Sequence, residues 1–121
     1  MLYEVLSGKR FNDLYTGKKL IKLTNESENH NNYQFQTGLN VDSIPFYPQA
    51  ECQPGGIYFC SIEKMSMWLD YGYKPMIYAR LVTIPDDAQI YTETNKFKAH
   101  AFVFTASKHN PQVCSLTYCK A

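Results

Sequence analysis

Apolar residues in this chain fall into short β-forming runs, most of which recur with a period of two. That pattern constrains the fold more than any other feature, because a period of two places alternate side chains on one face of a strand. The runs are Lys19 to Thr24 (KLIKLT), Tyr33 to Gln36, Ile57 to Cys60, Met76 to Ile84 (MIYARLVTI), Ala88 to Tyr91, Phe97 to Thr105 (FKAHAFVFT) and Val113 to Tyr118 (VCSLTY). Aromatic residues make up 15% of the chain, with 10 Tyr and 7 Phe, and such rings favour strands and half-buried surfaces. Helical spacing appears once. After Gly55-Gly56 and the run to Cys60, Ser61 is a good N-cap, Glu63 suits the first turn, and Ile62, Met65 and Leu69 recur at helical intervals with Trp68 beside them up to Gly72. The expected class is α+β: a single domain over residues 1–121, with a mostly antiparallel sheet, split or continuous, of about six strands and one or two helices. Residues 1–18, whose periodicity is short and broken, are expected to form a packed N-terminal arm.

Charge and cysteines exclude several functions. With 12 Lys+Arg against 11 Asp+Glu the chain is nearly neutral, so no field tracks a phosphate backbone and no nucleic-acid partner is expected. The first residues reach Gly8-Lys9-Arg10 before any long apolar run, which predicts neither a secretory leader nor a membrane partner. Cys52, Cys60, Cys114 and Cys119 lack the spacing of a zinc knuckle, so reduced thiols and no metal are expected. No glycine-rich phosphate loop follows Gly55-Gly56. His100 is expected to be a hydrogen-bonded sheet histidine, on the face of its strand shared by Lys98, Phe102 and Phe104 and opposite Phe97, Ala99, Ala101 and Val103. Asp86-Asp87 after Pro85 is expected to be a turn.

The stretch Gly38-Leu39, a proline-interrupted loop, then Gly55-Gly56-Ile57-Tyr58-Phe59-Cys60-Ser61 and an amphipathic segment resembles the NAD-binding core of ADP-ribosyltransferases of the poly(ADP-ribose) polymerase type. The resemblance covers about a third of the chain. It implies that Tyr58 packs against a nicotinamide ring and that Trp68 closes the other side. The family's anchoring histidine and catalytic glutamate have no counterpart, since Leu23-Thr24-Asn25 and Lys98-Ala99-His100-Ala101-Phe102 stand in their places. A second resemblance spans most of the chain. Gly-Leu-Asn-Val-Asp (38–42), Pro-Gly-Gly-Ile-Tyr-Phe (54–59), Val-Thr-Ile-Pro-Asp-Asp-Ala-Gln-Ile-Tyr (82–91) and Asn95-Lys96-Phe97-Lys98-Ala99 are similar to a small protein family of giant DNA viruses of amoebae. That resemblance implies the host cytoplasm or the virion as location.

Together these readings give a viral accessory or virion protein that binds a viral or host protein and lacks a catalytic set, with no cofactor. The alternative is an atypical ADP-ribosyltransferase using NAD. Low net charge and strands rich in Tyr, such as Met76 to Ile84, also leave a homodimer open. A ligand site, if the chain carries one, is expected where the Gly38 to Pro54 loop faces the Tyr58 strand, with Thr24, Asn25, Tyr58, Ser61 and Trp68 around it.

Overall fold

The computed structural model describes residues 4–30, 33–48, 55–68 and 77–109. The alternating runs become strands, as their period requires. In chain order they are β1 (Val5–Ser7), β2 (Leu20–Thr24), β3 (Asn29–His30), β4 (Tyr33–Gln34), β5 (Gly38–Val41), β6 (Ile57–Ser61), β7 (Tyr78–Thr83), β8 (Gln89–Thr92), β9 (Phe97–Ala99) and β10 (Ala101–His109). Helix α1 covers Gly8–Leu14, and a 3-10 helix covers Ile62–Trp68. Eight strands form one antiparallel sheet in the order β1-β8-β9-β6-β2-β7-β10-β5, and β3 and β4 pair apart from it. The class is α+β as expected, with more strands than the six anticipated.

Two segments change partners midway and so turn the sheet over the core. Ile57, Tyr58 and Phe59 of β6 lie opposite Ala99, Lys98 and Phe97 of β9, whereas Cys60 and Ser61 lie opposite Ile21 and Leu20 of β2. The run from Phe97 onward, expected as one strand, bends at His100. Before the bend it pairs with β6 and β8; after it, with β5 and β7. The bend also shifts the phase of the side chains. Phe97 and Ala99 and then Phe102 and Phe104 all enter one core cluster, which corrects the expectation that they face opposite ways. His100 itself is hydrogen-bonded, its Nδ1 accepting from the Gln89 amide at 3.2 Å.

The core is a stack of rings between the two halves. Phe59 and Phe102 meet edge to face with centroids 6.2 Å apart, and Phe102 stacks on Phe104 at 5.1 Å. The N-terminal arm is more regular than its sequence suggests, because α1 inserts Phe11, fully buried, between Phe59 and Phe97 at 6.0 and 5.0 Å. Ser7 caps α1 by accepting from the Arg10 amide at 3.1 Å. Gly8 donates to the Ala88 carbonyl at 2.7 Å, and any Cβ there would collide with the Pro85 carbonyl oxygen, so only glycine permits this approach.

The second helix departs from its expected form. Ser61 closes β6 and does not begin an α-helix, and Ile62 to Trp68 wind as a 3-10 helix. Its period of three stacks Ile62 over Met65, and both join Ile21, Leu23, Cys60 and Ala79 on the outer face of β2 and β7. Leu69, Gly72, the first part of the 76–84 run and the 113–118 run lie outside the described residues. Because Met65 is only 6% exposed, Met65→Ala is expected to destabilise by about 2–5 kcal/mol in urea unfolding. A change within about 0.5 kcal/mol, the range of a surface substitution, would mean that the helix presents another side to the sheet.

Candidate functional site

A guanidinium in the middle of a strand sets the first polar locus. Arg80 alternates with Val82 on the inner face of β7 and is 1% exposed, so its charge has to be met inside the protein. Glu28, itself 5% exposed, approaches Arg80 Nη1 with both carboxylate oxygens, at 3.0 and 3.3 Å. Arg80 Nη2 donates to Thr37 Oγ1 at 2.6 Å and to the Thr105 carbonyl at 3.0 Å, and the guanidinium lies 4.6 Å from the Phe104 ring centroid. Thr24 donates its hydroxyl to Glu28 at 3.0 Å. The turn that delivers Glu28 is built by Asn25, whose Oδ1 accepts from the Asn29 amide at 3.2 Å and whose Nδ2 donates to the Asn29 carbonyl at 2.9 Å. Glu28 has a positive φ of 52°, uncommon for a residue with a Cβ.

Lys22 stands opposite Arg80 in the register of β2 and β7, with its ammonium 5.6 Å from the Phe35 ring centroid. Burial lowers its pKa from 10.5 to about 8; the Cys60 thiol opposes this and Lys96 adds to it. Cys60 is itself buried, and that burial pushes its thiol from 9.0 up to about 12 against the pull of Lys22, so it is a poor nucleophile at neutral pH.

The second locus is the strand that carries Tyr58. Tyr58 is half-buried opposite Lys98, with the Lys96 ammonium 4.0 Å and the Lys98 ammonium 5.5 Å from its ring centroid. Lys98 is fully buried and donates to the Tyr47 carbonyl at 2.7 Å. The described part of the loop after β5 meets the two glycines that lead into this strand. Tyr47 donates its amide to the Gly55 carbonyl at 2.8 Å, and Asp42 Oδ2 accepts from the Gly56 amide at 2.7 Å. Gly56, at a φ of 129°, leaves the room that the Lys98 stem occupies.

Thr24 and Asn25 therefore share the ion-pair locus at one end of β2, while Ser61 pairs with Leu20 at the other end. Tyr58 belongs to the lysine locus on the other half of the sheet. Ser61 contributes to the 3-10 helix start, where Glu63 is held below the usual carboxylate range by its own backbone amide first, and then by the Ser61 hydroxyl and Lys18. Trp68 ends that helix, and its side chain lies outside the described residues. A separate groove of about 350 Å³ runs between the end of α1 and strands β2 and β7, walled by Phe11, Tyr15, Leu20, Val82 and Ile84 with Asn12 at its rim. Asn12 is engaged there, donating to the Ile84 carbonyl at 2.8 Å. Among the described residues no three His, Cys, Asp or Glu side chains gather as metal ligands, and no helix is long and apolar enough to cross a membrane. Sequence reasoning missed Arg80, Lys98 and Glu28. The readable signal was a lone cation inside each of two apolar strands, which demands a buried partner.

No protein-family model and no solved structure matches the chain. The chain is similar to several proteins of Acanthamoeba polyphaga mimivirus. The chain is 38% identical over 72 residues to "Putative ankyrin repeat protein R868", which covers 58% of this chain and 34% of that protein. It is 36% identical over 72 residues to "Uncharacterized protein R869", covering 58% and 49%, and 29% identical over 91 residues to "Putative ankyrin repeat protein R896", covering 70% and 26%. The chain thus spans less than half the length of each of these. The giant-virus resemblance holds at this level; none of these proteins is named as an ADP-ribosyltransferase.

Two outcomes follow from the polar loci. Glu28→Gln leaves Arg80 buried without its counter-charge and is expected to cost about 3–5 kcal/mol in urea unfolding, whereas Glu26→Gln on the exposed part of the same turn is expected to change little. Stability is expected to rise between about pH 8 and 9. There the unfolded Lys22 still holds the proton that the folded one has lost, so deprotonation favours the fold. As the pH nears and passes 9.0 the unfolded Cys60 ionises while the folded thiol stays protonated, which diminishes the gain and then opposes it. Urea midpoints at pH 7.5 and 9 read the rise, and Lys22→Met is expected to abolish it.

Proposed function

We propose that this chain is a binding module of a giant-virus accessory or virion protein, working in the host cytoplasm or the particle by holding a viral or host protein. The observation that carries this reading is a mismatch of architecture. Stretches similar to this chain lie within longer mimivirus proteins whose names call them ankyrin repeat proteins. An ankyrin repeat is a turn and two helices in about 33 residues, and repeat arrays present extended binding surfaces. The described residues here are mostly strands, with α1 and the 3-10 helix of seven residues each. The shared stretch is thus a β unit of another kind, and its partner in those proteins is a fold whose usual work is contact with other proteins.

The chemistry of the loci favours contact over catalysis. The Cys60 thiol is buried and pushed up to about 12, and the imidazole Nδ1 of His100 is occupied by the Gln89 amide. NAD-dependent transfer to an acceptor, the competing reading, rests on the Gly-Ile-Tyr-Phe run. It would need a carboxylate near an oxocarbenium-like centre, and the cation Lys98 stands in that part of the sheet, with Lys96 already over the Tyr58 ring.

The test is a tagged copy of the chain expressed in infected amoebae, cross-linked and analysed by mass spectrometry, alongside thermal melts in millimolar NAD. The expected result is one recurrent cross-linked protein and an unchanged melting temperature. A raised melting temperature with transfer of NAD-derived label, lost in Tyr58→Ala, would replace the binding reading with the enzymatic one.

A further inference from the structure

Two cations stand side by side on the inner face of the sheet, and they are not met alike. Lys22 on β2 lies directly opposite Arg80 on β7, and side chains in such a pair start about 5 Å apart at Cβ. Glu28 turns both carboxylate oxygens to Arg80. Lys22 has neither a hydrogen-bond acceptor nor a carboxylate among the described residues, and its ammonium rests 5.6 Å from the Phe35 ring centroid. Phe35 in turn lies 5.7 Å from the Phe104 ring over which the Arg80 guanidinium sits, so both charges share one pair of rings.

Crowding of like charges against apolar rings is relieved when one of the cations gives up its proton. A guanidinium does not, but an ammonium does. Burial first, and then the Lys96 charge, bring the Lys22 pKa to about 8 against the pull of Cys60. At neutral pH about a tenth of Lys22 is therefore free amine, against less than about a thousandth of an ordinary lysine. The free amine is the nucleophilic form. It is also reachable, because Lys22 is half-buried whereas Arg80 and Lys98 are 1% and 0% exposed. Strand β6 pairs with β2 at Leu20 and Ile21 and turns to β9 from Phe59 back, which leaves Lys22 at a fork where the two strands part.

We propose that Lys22 is a covalent capture site for small aldehydes, its side-chain nitrogen condensing with the carbonyl carbon at this fork beside Phe35 and Arg80. The nitrogen lone pair forms the new C–N bond and the carbonyl π pair passes to oxygen. Both protons of the amine then leave with that oxygen as water, and an imine remains. No oxidant or reductant takes part, and hydrolysis returns the amine. A neutral imine also removes the second positive charge from beside Arg80, so the surroundings that disfavour the ammonium favour the product. The site is independent of the protein-binding reading, and each stands if the other fails.

The probe is propanal at millimolar concentration with cyanoborohydride, which reduces each imine to a stable alkylamine that peptide mass spectrometry assigns to its residue. In the whole folded chain at about pH 7.5, Lys22 is expected to be alkylated at least about tenfold faster than the exposed Lys9 and Lys64. That ratio is expected to fall toward one as the pH approaches 10, where ordinary lysines also lose their protons, and to vanish in urea, where the fork no longer exists. Lys22→Arg keeps the charge but supplies no amine, so the fast adduct should disappear while the circular dichroism spectrum is retained. Alkylation of Lys22 at the pace of Lys9, or a ratio that does not change with pH, would overturn the proposal. A fast adduct that persists in Lys22→Arg would place the reactive amine elsewhere and overturn it too.

Discussion

The buried guanidinium of Arg80 is the constraint around which the second half of the sheet is arranged. Sealed beside the ring of Phe104, it demands an anion, and the anion comes from a turn 52 residues earlier in the chain. Satisfying Arg80 fixes the Asn25 turn, the approach of Thr37 before β5, and the Thr105 carbonyl on β10 in one step. A carboxylate removed from water costs several kcal/mol unless it is met by charge and hydrogen bonds, and Glu28 has both, from Arg80 and from Thr24. Its left-handed backbone is the strain accepted to bring it there. The network thereby selects one arrangement of a turn, a loop and a strand that are separate in the chain.

Lys98 plays a related part on the other half. Its stem crosses Gly56 and its ammonium ends on the Tyr47 carbonyl, so it ties the long loop after β5 to the β6 and β9 pair. The two cations differ in a telling way. The terminal nitrogens of Arg80 are met by side chains and a carbonyl within the core while its Nε has no hydrogen-bond partner among the described residues, whereas Lys98, equally buried, works between aromatic rings and main chain, where a flexible stem suits the place better than a planar fork.

Much of the sheet was legible because its strands alternate. Ile57 to Cys60, Met76 to Ile84 and Phe97 to Thr105 all contain strands, since nothing in them competes with a pleated, half-buried surface. The corner at His100 was not legible as a corner. The apolar residues there slip from odd to even positions, Phe97 and Ala99 then Phe102 and Phe104, and a straight strand would send them to opposite faces; only a bend lets one core take both. The 3-10 helix was misread because Ile62, Met65 and Leu69 satisfy a period of 3.6 as well as Ile62, Met65 and Trp68 satisfy a period of three. Of the candidate site, the close approach of Asp42 and Tyr47 to Gly55-Gly56 was readable from the paired glycines. The grouping of Thr24 with Glu28 and Arg80 was not, because it depends on long-range pairing that no local pattern records.

The partner switch of β9 and β10 also sets a timetable. Strand β6 finds its neighbour β9 about forty residues later, and β2 lies between β6 and β7, so neither half of the core can close on residues 1–61 alone. At a ribosomal rate of roughly 5–20 residues per second, the rings of Phe11, Phe35 and Phe59 wait several seconds for Phe97, Phe102 and Phe104 to be made. During that interval the nascent chain displays unpaired, aromatic strand-forming segments, the kind of surface that aggregates before a sheet can close.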